Sequence, residues 1–421
     1  MKNGRIRKCF MALSLFGIDV ALSSCSNLFG HNASQSASPN RTRTVSIVGS
    51  DGIGKEYTVE IGKTFDYQIE NTNLLFVGCY DEKDGQGDKY VTYDGKSVVW
   101  KDKMPDTLYA YYVSTNNLAF SAKPINKKNS LSNSGTGASA TGNFVFEDAY
   151  VNYRKKNDLK AITTISFDHY DTPSVIYDNW SNLSISCNDK DIYKNSLRAT
   201  VDWTPFSETF ELSSKNLAQG LSITLEHPLA NASGNDSTIK NIRADVHLYT
   251  EEQLDDLLTF KNLGKHFEQY FPDGSQTLRA VTRSVDTGTT IPYYVKKLIE
   301  KYDQSSLSVT FTISSYGGKT LFLSNWGDSN CKLLDDKENE IVAKSVHLEN
   351  NSGYGLDNGK FDLTKEQTKR LVKAAAQLQY SQANASQQPY YTKFVKVEYD
   401  FNGIDENNSG TLTSTAQKQT I

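Results

Sequence analysis

Six histidines, His31, His169, His227, His247, His266 and His347, are the side chains best suited to bind a metal or move a proton at neutral pH. None is spaced as H-x-x-x-H, H-x-H or H-E-x-x-H, so any metal centre has to be assembled from distant segments. Asp168-His169 sets a carboxylate beside an imidazole, yet adjacent strand residues point to opposite faces, so the two are not expected to act together. His247 falls at a polar position of an alternating strand and reads as solvated surface. Asp81-Glu82-Lys83-Asp84-Gly85 has Lys where a calcium loop needs an oxygen, and Asp400-Phe401-Asn402-Gly403 places its Gly too early. No G-x-S-x-G elbow or P-loop is present. Gly135-x-Gly137-x-x-Ala140 lacks the entering strand and leaving helix that a dinucleotide site requires. Asp335-Asp336-Lys337-Glu338 reads as a solvated turn, and the Tyr pairs at Tyr293 and Tyr390 are of a kind that stacks on sugar rings. The sequence therefore nominates no catalytic, cofactor-binding or metal residue and calls for no cofactor. Paired acids of a glycosidase stay open, because only a fold brings such pairs together.

Covalent chemistry is signalled at one place. Lys2, Arg5, Arg7 and Lys8 precede a short apolar run, Phe10 to Ile18, in the order of a secretory signal and not of a spanning helix. Asp19 closes that run, where the cost of a carboxylate in lipid fades. The next residues, Leu22-Ser23-Ser24-Cys25, resemble the lipobox of bacterial lipoproteins: an aliphatic residue, two small ones, then Cys. The resemblance implies that residues 1–24 are removed and that the Cys25 thiol carries a diacylglyceryl thioether. The protein is then held at the cell membrane or outer membrane, facing away from the cytoplasm, with the membrane as a partner through that lipid. Cys79, Cys187 and Cys331 are odd in number and scattered, so they read as buried free thiols and give no disulfide framework.

Positioning elements come next. At 421 residues the chain is long enough for two or three domains, and 38% hydrophobic residues suffice for globular cores but not for a polytopic membrane protein. Basic and acidic residues, 45 against 49, nearly cancel, which excludes the electrostatic footprint of a nucleic-acid binder. Abundant Tyr and Phe beside 3 Met point to strands. Residues 25–43 read as a lipidated flexible tether, 127–142 as a Ser/Gly linker and 403–421 as a polar tail. Between tether and linker, Phe76, Gly78 and Tyr80, followed by Thr107-Leu108-Tyr109-Ala110, resemble the internalin-type B-repeat, also called the Listeria-Bacteroides repeat. Cys79 stands where that family has Trp, and no Pro precedes Phe76. The resemblance covers about 44–112 within a module of 44–126 and implies a small β-grasp with Phe76 and Tyr109 in its core, of the kind that serves as a spacer or binding module in surface proteins.

Past the linker, period-two apolar positions such as Ala161-Thr163-Ile165-Phe167, Leu221-Ile223-Leu225 and Leu307-Val309-Phe311-Ile313 predict half-buried antiparallel strands. Capping boxes Thr250-x-x-Gln253 and Thr364-x-x-Gln367 and the Pro292 start predict amphipathic helices through Leu254-Leu258, Val295-Ile299 and Leu371-Leu378. The expected class is mainly β with some α: a β-grasp-like module, then a β-sandwich-like region decorated by a few helices, divided as a β-rich module 143–249 and an α+β module 250–402 or its continuation. The function read from this is a non-enzymatic envelope surface lipoprotein for adhesion or envelope interaction, with a protein or polysaccharide ligand. The alternative is a surface-anchored carbohydrate-active or other hydrolytic enzyme with a fold-assembled site. A solute-binding lipoprotein needs repeated strand-helix units and two similar lobes, and the sequence shows neither.

Overall fold

Alternation decides the second and third modules. In the strand Lys160–Asp171, Ala161, Thr163, Ile165 and Phe167 face inward and are nearly inaccessible, while Thr164 and Ser166 between them are partly exposed and Ile162 is buried on the other face. The computed structural model describes residues 41–70, 72–172, 179–198, 202–229, 236–272, 274, 276–278, 284–317, 327–348, 355–380, 390–403 and 419–420. The signal region, Cys25 and nearly all of the tether lie outside the described residues. Among those residues no helix is long and apolar enough to cross a membrane.

The first module is one mixed sheet of β1 (Thr42–Val48), β2 (Gly54–Glu60), β3 (Leu74–Tyr80), β4 (Lys89–Val91) and β5 (Thr107–Ser114), in the order β2-β1-β5-β3-β4. β1 and β5 run parallel and the other pairs antiparallel. Its core gathers Val45, Ile47, Phe76, Cys79, Trp100 and Leu108. Leu108 is the core member of the Thr107-Leu108-Tyr109-Ala110 element, and Tyr109 sits half-exposed on the other face, contrary to the sequence expectation.

A bulge in β3 couples this module to the next. The register against β5 slips between Phe76 and Gly78, so Phe76 and Cys79 both point into the module while Val77 turns outward into the neighbouring core. Gly78 has φ +155, and a Cβ there would lie 2.6 Å from the Val91 carbonyl oxygen. Gly78→Ala should therefore destabilise the chain by about 1–3 kcal/mol, read as a lower melting temperature. An unchanged melt would show that the bulge can move. Lys89 and Lys123 both bind Glu147, which adds a polar clamp across the same junction. The module is thus packed onto its neighbour and is not a free-standing spacer.

The second module comprises β6 (Ala119–Ser121), β7 (Ser130–Asn133), β8 (Ser139–Phe144), α1 (Asp148–Lys156), β9 (Lys160–Asp171), β10 (Trp180–Cys187), β11 (Lys190–Arg198), β12 (Thr204–Leu212), α2 (Ser214–Gln219), β13 (Leu221–Glu226) and β14 (Ser237–Tyr249). After two connecting helices, α3 (Glu251–Leu257) and α4 (Phe260–Leu263), the third holds β15 (His266–Tyr270), β16 (Gln276–Leu278), β17 (Ser284–Thr290), α5 (Tyr293–Lys301), β18 (Ser306–Gly317), β19 (Gly327–Leu334), β20 (Glu340–Leu348), β21 (Gly355–Asp362), α6 (Lys365–Arg370), β22 (Lys373–Tyr380), β23 (Tyr390–Asn402) and β24 (Gln419–Thr420). Each module has its own apolar core, with Ile162 of the second buried in the core of the third.

The two sandwiches repeat one topology. Sheet β11-β10-β13-β8 corresponds to β20-β19-β22-β17, and sheet β12-β9-β14-β6, with β7 also on β14, corresponds to β21-β18-β23-β15, with β16 also on β23. Each strand matches the one nine places later, α1 matches α5 and α2 matches α6. Two similar lobes are therefore present although the sequence shows no repeat. They are antiparallel sandwiches, not strand-helix repeats of a parallel sheet.

Two expectations are corrected. Residues 127–142 are no linker: Leu131 and Asn133 of β7 pair against β14, and β8 is an edge strand on β13. Short polar strands are held by main-chain hydrogen bonds, which composition does not report. The helix expected through Leu371-Leu378 stops at Arg370, and Lys373–Tyr380 is a strand sandwiched between β17 and β19, with Ala374, Ala376 and Leu378 inward. The polar tail also contributes a short parallel pairing, β24 on β15.

Candidate functional site

The seam between the two sandwiches opens into a cleft of about 580 Å³. β11 and β12 form one wall, and the end of β17, the start of α5 and the turn before β20 form the other. Tyr193 and Phe210 meet edge to face at 6.1 Å on the first wall. Tyr293 stands on the second because Pro292 is the N-cap of α5 and the first helical residue after it faces the seam. The walls are tied together: Tyr293 Oη donates to Glu211 Oε2 at 3.3 Å, and Asn195 Nδ2 donates to the Gly288 carbonyl at 3.1 Å.

Charge in the cleft is largely paired. Arg370 donates to Asp335 at 3.0 Å and holds its carboxyl down at about 2, and Lys373 meets Glu338 at 3.1 Å. Glu208 differs. It is 6% exposed, and burial pushes its carboxyl up to about 8, so at neutral pH it is largely protonated and presents an O–H donor. Asp335-Asp336-Lys337-Glu338, read as a solvated turn, thus forms part of the rim. Tyr293 of the first Tyr pair lines the cleft and Tyr294 packs against it at 5.3 Å. A smaller hollow of about 360 Å³ shares Asn195, Gly288 and Lys373 and extends the groove along the seam.

The histidines are placed by the fold in ways the sequence did not show. His169 is buried with Asp171, Nε2 to Oδ1 at 3.1 Å, while Asp168 faces the other side and accepts from Asn241 at 2.8 Å. The expected independence of Asp168 and His169 holds, and the imidazole's partner lies two residues on. His227 is buried, His347 meets Asp328 at 2.9 Å on the surface, and His247 is exposed as expected. His31 lies outside the described residues. Cys79, Cys187 and Cys331 are free and buried. Glu208 was missed because it sits among ordinary strand residues, with no spacing signal to mark it.

No protein-family model matches the chain, and no curated protein matches it. Solved structures with detectable likeness include the tandem CBM22 modules of Paenibacillus barcinonensis Xyn10C, at 12% identity and TM-score 0.20, covering 66% of this chain and 89% of that one. The tandem CBM51 modules of a Streptococcus pneumoniae family 98 glycoside hydrolase match at 8% identity and TM-score 0.18, covering 68% and 94%. T=1 particles derived from infectious bursal virus match at 8% and 0.25, covering 68% and 70%. The functional reading rests on the chain's own geometry.

Proposed function

We propose that the protein is a lipid-anchored bacterial envelope surface protein, without catalytic activity, that binds a polysaccharide in the seam between its two sandwiches. The cleft carries this reading: aromatic faces from both walls, a carboxyl kept as a donor and amide groups along the seam are the groups that bind hydroxylated rings. The lipobox-like Leu22-Ser23-Ser24-Cys25 supports anchoring, and the first module's resemblance to a B-repeat supports a surface location. Binding of soluble neutral oligosaccharides, screened on an array and followed by calorimetry, tests it. Tyr293→Ala should weaken binding about tenfold, the worth of one aromatic stacking contact. Equal affinity in the variant would remove the cleft from the function.

A second reading is favoured by Glu208, since a carboxyl held protonated near neutrality is what a glycosidase uses as its acid. On that reading the bound oligosaccharide is cleaved, and Glu208→Gln abolishes product release without loss of binding. Intact oligosaccharide after prolonged incubation decides for the binding protein.

A further inference from the structure

On the outer face of the third module, β15 and β23 pair His266 with Asp400, Glu268 with Glu398 and Tyr270 with Lys396. Alternation sends Phe267, Val397 and Tyr399 into the core, so the ionisable partners are gathered on one face. His266 Nδ1 lies 2.7 Å from Asp400 Oδ1, an arrangement in which Nδ1–H donates and Nε2 keeps its lone pair. Nε2 is screened from solvent and has no hydrogen-bond partner among the described residues, and it lies 3.6 Å from Glu268 Oε1 and 3.7 Å from Glu398 Oε1. Lys396 Nζ sits 3.2 and 3.1 Å from those same two oxygens. Two carboxylates thus share the Lys396 ammonium.

We propose that this cluster is a binding site for a divalent transition metal of the zinc class, held by His266 Nε2, Glu268 Oε1 and Glu398 Oε1 in place of the Lys396 ammonium. The three ligand atoms lie within 4.8 Å of one another, close enough to be drawn onto one ion. One nitrogen and two carboxylate oxygens form a donor set that zinc accepts, with water completing four-coordination. Asp400 holds the imidazole by its other nitrogen, the outer-shell contact that fixes ligating histidines. The repeated fold supplies a second, independent observation. In the corresponding strand pair of the second module, Phe120 on Val246 matches Phe267 on Tyr399. Ala119, Ser121, Asp245 and His247 there replace His266, Glu268, Glu398 and Asp400. The same strand pair forms with Ala119 and Ser121 on the shorter strand, a single His in the place of Asp400 and only one carboxylate, so the fold itself does not require the cluster.

Calorimetric titration of the untagged full chain with zinc ions tests the site. One equivalent should bind near pH 7.5. His266→Ala and Glu398→Gln should each lower affinity by about tenfold or more, while Lys396→Met should raise it by removing the competing cation. His347→Ala, at the surface pair with Asp328, should change nothing, and unaltered circular dichroism spectra establish that the variants are folded. Absence of binding in both the wild type and Lys396→Met, or affinity unmoved by His266→Ala, overturns the assignment.

Discussion

Glu208→Gln makes the protein more stable than the wild type above neutral pH and leaves the two alike in acid. The folded carboxyl titrates at about 8 because it is buried, against an unperturbed value of 4.5. Between these values the folded state keeps a proton that the unfolded state has released. Stability of the wild type therefore falls as pH rises from about 4.5 to about 8, and the full cost is present above that window. A shift of this size corresponds to a cost on the order of 5 kcal/mol, large against ordinary domain stability. Glutamine keeps the shape and a donor but cannot ionise, so the variant escapes the cost. Thermal unfolding of both proteins from about pH 4 to pH 9 reads the difference directly, since every other titrating group is shared. Parallel profiles would mean that Glu208 reaches solvent, which would also remove the neutral donor from the cleft.

Cys25→Ser should move the protein from the membrane fraction to the soluble fraction, or leave it with its signal region uncleaved. Lipid insertion contributes about 0.8 kcal/mol per buried methylene, so two or more acyl chains outweigh any attraction that a mildly acidic protein has for an anionic surface. Loss of residues 1–24 removes four basic side chains and one acidic, which makes the remainder more acidic still. Fractionation with palmitate labelling measures the effect. Label incorporated equally by the variant would end the lipobox reading.

Local features were legible in the chain wherever one short segment carries its own cause. The strand through Ile165 and Phe167 follows from alternation, and α3 begins where Thr250 accepts from the Gln253 amide while the Gln253 side chain accepts from the Thr250 amide. Period alone was ambiguous over 371–378: Leu371, Ala375 and Leu378 satisfy helical spacing, while Ala374, Ala376 and Leu378 satisfy the alternation of a strand. Pairing of Lys373–Tyr380 with strands on both sides resolved it, because a buried main chain must complete its hydrogen bonds. The same cause turned the Ser- and Gly-rich 127–142 into two strands.

By itself the sequence determined that the described chain is built mainly of strands, where α3, α5 and α6 start, and that its thiols are scattered. These depend on neighbours a few residues apart. Only the tertiary structure decided that two sandwiches repeat one topology, that a cleft opens between Tyr193 and Tyr293, and that burial raises the proton affinity of Glu208 there. It alone joined His266 to Glu398 across 132 positions, through the register of β15 on β23. Burial and cross-strand register depend on partners distant in the chain, and a group's proton affinity or its place in a metal site follows from those partners.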